Sequence, residues 1–142
     1  MSIQEQQELK EMYYSEAKRY MENANNFLKN AKKEGKFYRD SKYVKIACGT
    51  AYSGVLVALD CFLMLKGVHK PNKKERKSIE YYQKNLGKVD RKMLDNLNIT
   101  YKILHLSGYY DGIEDAVIIK RGFDFANKII DKIKPSESFV CQ

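Results

Sequence analysis

Apolar positions recur with helical spacing along most of this chain, and the first such segment, about residues 4–33, has the clearest pattern. Large and small side chains alternate along it, and each set repeats every seven residues: Tyr13, Tyr20 and Phe27, with Ala17, Ala24 and Ala31 between them. Such a seam is typical of two closely packed helices. The pattern predicts a long first helix that stops at Gly35, because glycine is favoured just beyond a helix end.

A second helical pattern runs from about Asp40 or Ser41, either of which can cap its start, to Lys66. It carries a stripe of small residues with spacings of four, three and four, formed by Ala47, Ala51, Gly54 and Ala58. This stripe can receive the aromatic side chains of the first helix. Because the connection between the two helices is short, we expect them to be antiparallel neighbours.

The apolar stretch at residues 46–65 is also long enough to span a bilayer. It contains polar side chains, however, namely Thr50, Tyr52, Ser53 and Asp60. An aspartate in a lone membrane span is costly. We therefore interpret this stretch as the central helix of a bundle, buried on more than one face, and we predict no membrane role.

Three further helices are predicted at about 74–85, 90–104 and 113–133, after a loop at 67–74. Asp90 is expected to cap the fourth helix, and Pro135 to end the fifth. No strand pattern is evident. The fold class predicted is all-α: an antiparallel up-down bundle of about five helices in a single domain at 1–135, with a loose C-terminal tail at 136–142.

Composition adds a net charge of +8, and the positive charge is concentrated around two connections between helices. Residues 66–92 contain ten Lys or Arg against three Asp or Glu, and residues 29–45 contain seven against two. Such surfaces suit an anionic partner such as RNA. The nucleic-acid candidates are Lys70, Lys73, Lys74, Arg76 and Lys77. The competing interpretation is a set of solvated helix ends, where lysine also complements the helix dipole.

The chain opens on polar residues without an apolar leader, and its three cysteines (Cys48, Cys61 and Cys141) are widely spaced. Buried free thiols in a reducing cytoplasm are the expected state. No phosphate-binding loop, dinucleotide-binding glycine motif or His-Glu-x-x-His sequence is present. We expect no metal and no cofactor.

The segment at 104–112, Leu-His-Leu-Ser-Gly-Tyr-Tyr-Asp-Gly, concentrates side chains that donate, accept and titrate. It is predicted as a turn between the last two helices. The ligand-contacting candidates are His105, Tyr109, Tyr110, Asp111 and Asp60. Asp60 can orient the imidazole if the bundle brings the two together, or it is exposed or paired with a lysine. Asp111 can shape a pocket or cap the fifth helix.

The layout of two long antiparallel helices, the segment Asp-Ser-Lys-Tyr-Val-Lys-Ile-Ala-Cys-Gly-Thr-Ala-Tyr-Ser-Gly at 40–54, and His105 before a last amphipathic helix resembles the HEPN superfamily of small helical bundles. The chain also resembles small uncharacterised bacterial proteins with a similar His-Leu-Ser-Gly-Tyr-Tyr-Asp-Gly segment. Many HEPN proteins are dimeric ribonucleases whose motif is an arginine and a histidine separated by four to six residues. Here the places for that arginine hold Asn98, Ile99 and Thr100.

The resemblance implies a non-catalytic HEPN-like interaction module that forms a homodimer. Its partner would be RNA, a nucleotide or a protein of the nucleotidyltransferase type. The alternative is a metal-independent ribonuclease that uses His105, with Lys102 as a poor substitute for the missing arginine. The missing arginine favours the first hypothesis, because asparagine cannot supply a fixed positive charge.

Overall fold

The computed structural model describes residues 1–68 and 77–136. Its helices and strands, in chain order, are α1 Ile3–Asn30, β1 Lys33–Glu34, β2 Phe37–Tyr38, α2 Ser41–Leu65, α3 Ile79–Val89, α4 Arg91–Thr100, a π-helix Tyr101–Tyr110, α5 Ala116–Ile130 and a 3₁₀ turn Asp131–Ile133. The predicted all-α bundle with five α-helices is confirmed. The short hairpin and the π-helix are additions that the sequence did not predict.

The predicted seam between α1 and α2 is confirmed. The small residues of both helices are fully or almost fully buried there: Ala17, Ala24, Ala31, Ala47, Ala51 and Ala58. A Cβ atom placed on Gly54 would lie 2.9 Å from Cβ of Tyr20, so this glycine allows the two backbones to approach. The start of α2 was also predicted correctly, because the Asp40 side chain accepts a hydrogen bond from the backbone N–H of Lys42 at 3.0 Å.

The first helix ends earlier than predicted, at Asn30, and a hairpin follows it. Strands β1 and β2 pair antiparallel around Gly35, which has a positive φ of 62°. The backbone N–H of Tyr38 donates to the carbonyl of Glu114 at 2.8 Å, and that of Ala116 donates to the carbonyl of Lys36 at 2.9 Å. The hairpin thus ties the α1–α2 connection to the start of α5.

Helix α3 also begins and ends later than predicted. Ser78 caps it, with its hydroxyl accepting from the N–H of Tyr81 at 3.4 Å, and the helix continues through Gly87 to Val89. Residues 69–76 of the predicted loop and third helix, and 137–142 of the predicted tail, lie outside the described residues. Asp90 caps α4 as predicted, because its side chain accepts from the N–H of Met93 at 2.9 Å.

Helix α2 is the centre of the bundle and packs against α1, the π-helix and α5. By length and composition it could cross a membrane, but 61% of its most apolar window is buried inside the molecule, as in the core helix of a soluble protein. Cys48 and Cys61 are free and buried in it, and burial raises their pKa values to about 12 and about 11. These two thiols are therefore protonated and unreactive at neutral pH.

Candidate functional site: an aromatic cleft around His105

The segment predicted as the end of a helix followed by a turn is instead a continuous π-helix, Tyr101–Tyr110. Its wide hydrogen bonding is visible at its end, where the N–H of Asp111 donates to the carbonyl of Leu106 at 3.0 Å. Gly112, with φ 62°, ends it in the left-handed conformation. π-Helical segments are rare and are frequently found at functional sites.

Two glycines allow the π-helix to lie directly on α2. A Cβ atom on Gly108 would lie 2.4 Å from Sγ of Cys48, and a Cβ atom on Gly49 would lie 2.8 Å from Cδ1 of Tyr109. Contacts this short exclude any larger side chain without movement of the neighbouring atoms. The close approach places one face of the π-helix against the first half of α2.

His105 lies at the centre of a cluster of four tyrosine rings. It is stacked between Tyr101 and Tyr109, with ring centroids 5.1 Å and 5.7 Å away, and Tyr52 of α2 lies at 4.9 Å. Tyr110 meets it edge-on at 5.0 Å. Stacked and edge-to-face pairs at these distances are the favourable arrangements of aromatic rings. We call His105 and these four tyrosines the aromatic cluster.

Four of the five rings of the aromatic cluster, all except Tyr101, line an open cleft of about 570 Å³. The cleft is lined by Tyr20, Ile46, Gly49, Thr50, Tyr52, Ser53, His105, Tyr109 and Tyr110. Tyr109 and Tyr110 are 45% and 61% exposed, so parts of both rings remain free of protein contact. No Lys, Arg, Asp or Glu of the described chain lines it. The cleft therefore offers aromatic faces and neutral polar groups.

The polar groups of the cleft have a defined hydrogen-bonding state. The hydroxyl of Thr50 donates to the carbonyl of Ile46 at 2.8 Å, and the hydroxyl of Ser53 donates to the carbonyl of Gly49 at 3.1 Å. A hydroxyl has one proton to donate and two lone pairs. Each hydroxyl proton is engaged with a helix carbonyl, and each oxygen can still accept a hydrogen bond from a ligand.

Burial changes the acid–base properties of the aromatic cluster. It lowers the pKa of His105 below its ordinary value of 6.5 and raises the pKa of Tyr52 to about 12. Within residues 1–68 and 77–136, no hydrogen bond or ion pair holds the imidazole. At neutral pH His105 is uncharged, with one ring nitrogen able to donate and the other able to accept.

A family model described as "Domain of unknown function (DUF5618)" matches residues 12–135. The chain belongs to that family. It is also similar to a solved structure of a protein of unknown function from Dyadobacter fermentans, with 42% sequence identity and a TM-score of 0.75 over 87% of this chain and 94% of that one. No curated protein matches the chain.

Two aspartates that the sequence suggested do not join His105 in this DUF5618 protein. The Asp60 carboxylate accepts from the Tyr82 hydroxyl at 2.9 Å and pairs with Nζ of Lys77 at 3.3 Å, beside a separate cavity of about 90 Å³. It therefore does not orient the imidazole. Asp111 is exposed and does not cap α5; Asp115 does, because its side chain accepts from two backbone N–H groups, at 2.9 Å and 3.2 Å.

Of the five nucleic-acid candidates, Lys77 is the one that the structure describes. Its ammonium group pairs with Asp60, which offsets part of its charge. Lys70, Lys73, Lys74 and Arg76 lie outside the described residues.

Sequence reasoning placed His105 with Tyr109 and Tyr110 but missed the other two rings of the aromatic cluster. Tyr101 had a visible signal, because it precedes His105 by four residues and helical residues at that spacing are neighbours. The sequence carries no such signal for Tyr52, because this residue reaches the imidazole only through the packing of α2 against the π-helix. The acceptor hydroxyls of Thr50 and Ser53 were seen only as polar interruptions of an apolar helix.

Proposed function

We propose that this DUF5618 protein is a non-catalytic binding module that holds a base of single-stranded RNA or of a nucleotide on its aromatic cluster. The observation that carries the proposal is the open cleft lined by His105 and three tyrosine rings of the aromatic cluster, of which Tyr109 and Tyr110 are exposed. Aromatic side chains bind bases by stacking, which contributes about 1–3 kcal/mol per base.

The charge beside the cleft supports an anionic ligand. Lys45 belongs to the basic segment 29–45, and its Cε would lie 2.7 Å from a Cβ atom on Gly112. Its side chain thus lies against Gly112, two residues beyond the end of the π-helix at Tyr110. An exposed lysine there can contact a phosphate while the neutral cleft holds the attached base.

The same surroundings favour binding over ribonuclease activity. RNA cleavage by a 2′-hydroxyl needs a base at that hydroxyl and a cation where charge develops on the phosphate. His105 can serve as the base, but no Lys or Arg of the described chain lines the cleft. Asn98, at a position where the HEPN nuclease motif has arginine, accepts a hydrogen bond from Nε2 of Gln83 on α3 at 2.9 Å. The side chain is thereby engaged away from the aromatic cluster.

The proposal keeps the HEPN-like layout, a symmetric homodimer and a cytoplasmic location, with a nucleotidyltransferase-type protein as the other partner class. Leu106, Val117 and Ile118 are exposed apolar side chains outside the cleft that a second copy can cover while the cleft stays open. Light scattering at tens of micromolar should give the mass of a dimer. A monomer mass would remove the homodimer from the proposal.

Fluorescence anisotropy with labelled single-stranded RNA at low salt tests the proposal. Wild-type protein should bind, and Tyr110→Ala should weaken binding at least about fivefold, the value of one stacking contact. Tyr14→Ala is the matched control, because this tyrosine lies on α1 outside the cleft. Absence of binding, or equal binding by Tyr110→Ala, would reject base binding at this site. RNA cleavage lost in both His105→Ala and Lys102→Ala would establish the ribonuclease instead.

A further inference from the structure

The hydroxyls of Thr50 and Ser53 provide the aromatic cleft with hydrogen-bond acceptors rather than donors. Both residues line the cleft, and both hydroxyls donate their protons to helix carbonyls, of Ile46 at 2.8 Å and Gly49 at 3.1 Å. To donate to a ligand, either hydroxyl would first have to leave its carbonyl. The two residues are three apart on α2, so they share one face of that helix.

This arrangement complements one edge of a planar ring. A ring stacked on the tyrosines presents its edge to whatever polar groups line the cleft. Two acceptor oxygens match a ring edge that carries N–H donors. They disfavour a ring edge that carries a carbonyl oxygen, because acceptor then faces acceptor and no hydrogen bond forms between them.

We infer that the aromatic cleft selects a nucleobase that carries an exocyclic amino group, and that the acceptor hydroxyls of Thr50 and Ser53 read this group. The inference rests on the proposed function and gives it a ligand class. His105 can serve either kind of base, because its two free ring nitrogens offer one donor and one acceptor. The discrimination is therefore assigned to the two hydroxyls.

Cytosine and uracil are the matched pair for a test. They are single rings of equal size whose edges are reversed: cytosine carries a 4-amino donor beside an acceptor N3, and uracil a 4-carbonyl acceptor beside an N3–H donor. His105, which offers one donor and one acceptor, can pair with either ring nitrogen, so the exocyclic group is the position compared at the two hydroxyls. Stacking on tyrosine tolerates either. Competition between oligocytidylate and oligouridylate hexamers for labelled RNA at low salt should show cytidylate binding about tenfold more tightly, in the range of a well-placed pair of base contacts.

The variants Thr50→Val and Ser53→Ala remove the acceptors and keep the size of the side chains and the helix. Combined, they should abolish the preference between the two hexamers, whereas Tyr110→Ala should weaken both equally. Equal binding of the hexamers by wild type would overturn the inference and leave base binding in place. A preference that survives in the double variant would also overturn it. Failure of wild type to bind either hexamer would reject the proposed function as well.

Discussion

The chemistry of this protein at the scale of single residues is dominated by one imidazole without a charged partner. His105 is packed among tyrosine rings 4.9–5.7 Å away, and no carboxylate of the described chain holds it. Desolvation without a compensating anion favours the neutral ring. This environment differs from that of a general base, which is usually oriented by a carboxylate, and it suits a ring that stacks and hydrogen-bonds.

The pKa of His105 should be measurably below its ordinary value of 6.5, because burial disfavours the imidazolium. NMR titration of the ring protons measures this directly. The unfolded chain then binds a proton at higher pH than the folded chain, so the neutral ring contributes stability that is fully present above pH 6.5. That contribution is lost as the pH falls through the lowered folded-state pKa. His105→Gln should flatten this part of the stability profile, and an unchanged profile would contradict the assignment.

Gly108 is a second residue whose identity is explained by one contact. In Gly108→Ala the new methyl group would lie 2.4 Å from Sγ of Cys48, so the π-helix must move away from α2. We expect a loss of about 1–3 kcal/mol of unfolding free energy. Gly87→Ala is the control, because its methyl group would meet only Cδ2 of Leu94 at 3.6 Å, and alanine favours the helix. Chemical denaturation of both variants measures this difference. Equal stabilities would refute the close packing of Gly108 against Cys48.

At the scale of the elements, the long helices could be predicted from sequence and the irregular ones could not. Asp40 marks the start of α2 in the sequence. The regular spacing of small residues marks the α1–α2 seam, and these residues are buried there in the structure. The π-helix has no distinct signal, because its apolar positions fit an α-helical period until the Gly-Tyr-Tyr-Asp-Gly sequence suggests a turn. The hairpin was missed because two-residue strands are too short to show alternation.

The α1–α2 seam gives a prediction at this scale. Gly54→Leu should lower the free energy of unfolding by about 1–3 kcal/mol, because even its Cβ atom would lie 2.9 Å from Cβ of Tyr20 and 3.2 Å from the carbonyl oxygen of Ala17. Asn25→Leu places the same side chain at an exposed position of α1 and should change little. Thermal unfolding compares the two. If Gly54→Leu unfolds at the same temperature as the wild type, α1 and α2 do not pack through this glycine.

For the molecule as a whole, the proposed binding uses two different parts of the chain: a neutral cleft for the base and a basic segment for the phosphate. The cleft is neutral where the base is proposed to lie, and Lys45 of the basic segment 29–45 packs against Gly112, two residues after Tyr110. In the other basic segment, Lys77 is paired with Asp60 beside a different cavity. The sequence predicted both segments from their charge. Only the structure shows that Lys45 of the first segment packs against Gly112, close in the chain to Tyr109 and Tyr110.

RNA binding should therefore depend on salt through the first basic segment. A lysine that contacts a phosphate releases a counterion on binding, so Lys45→Gln should weaken binding and reduce the slope of log affinity against log salt by about one. Lys84→Gln is the matched control, because it removes the same charge from an exposed position on α3 in the second segment. Affinities of both variants for a single-stranded RNA, measured across a series of salt concentrations, give the slopes. If Lys84→Gln reduces the slope and Lys45→Gln leaves it unchanged, the phosphate lies at the second segment, and the base cannot be seated in the cleft beside Tyr110 as proposed.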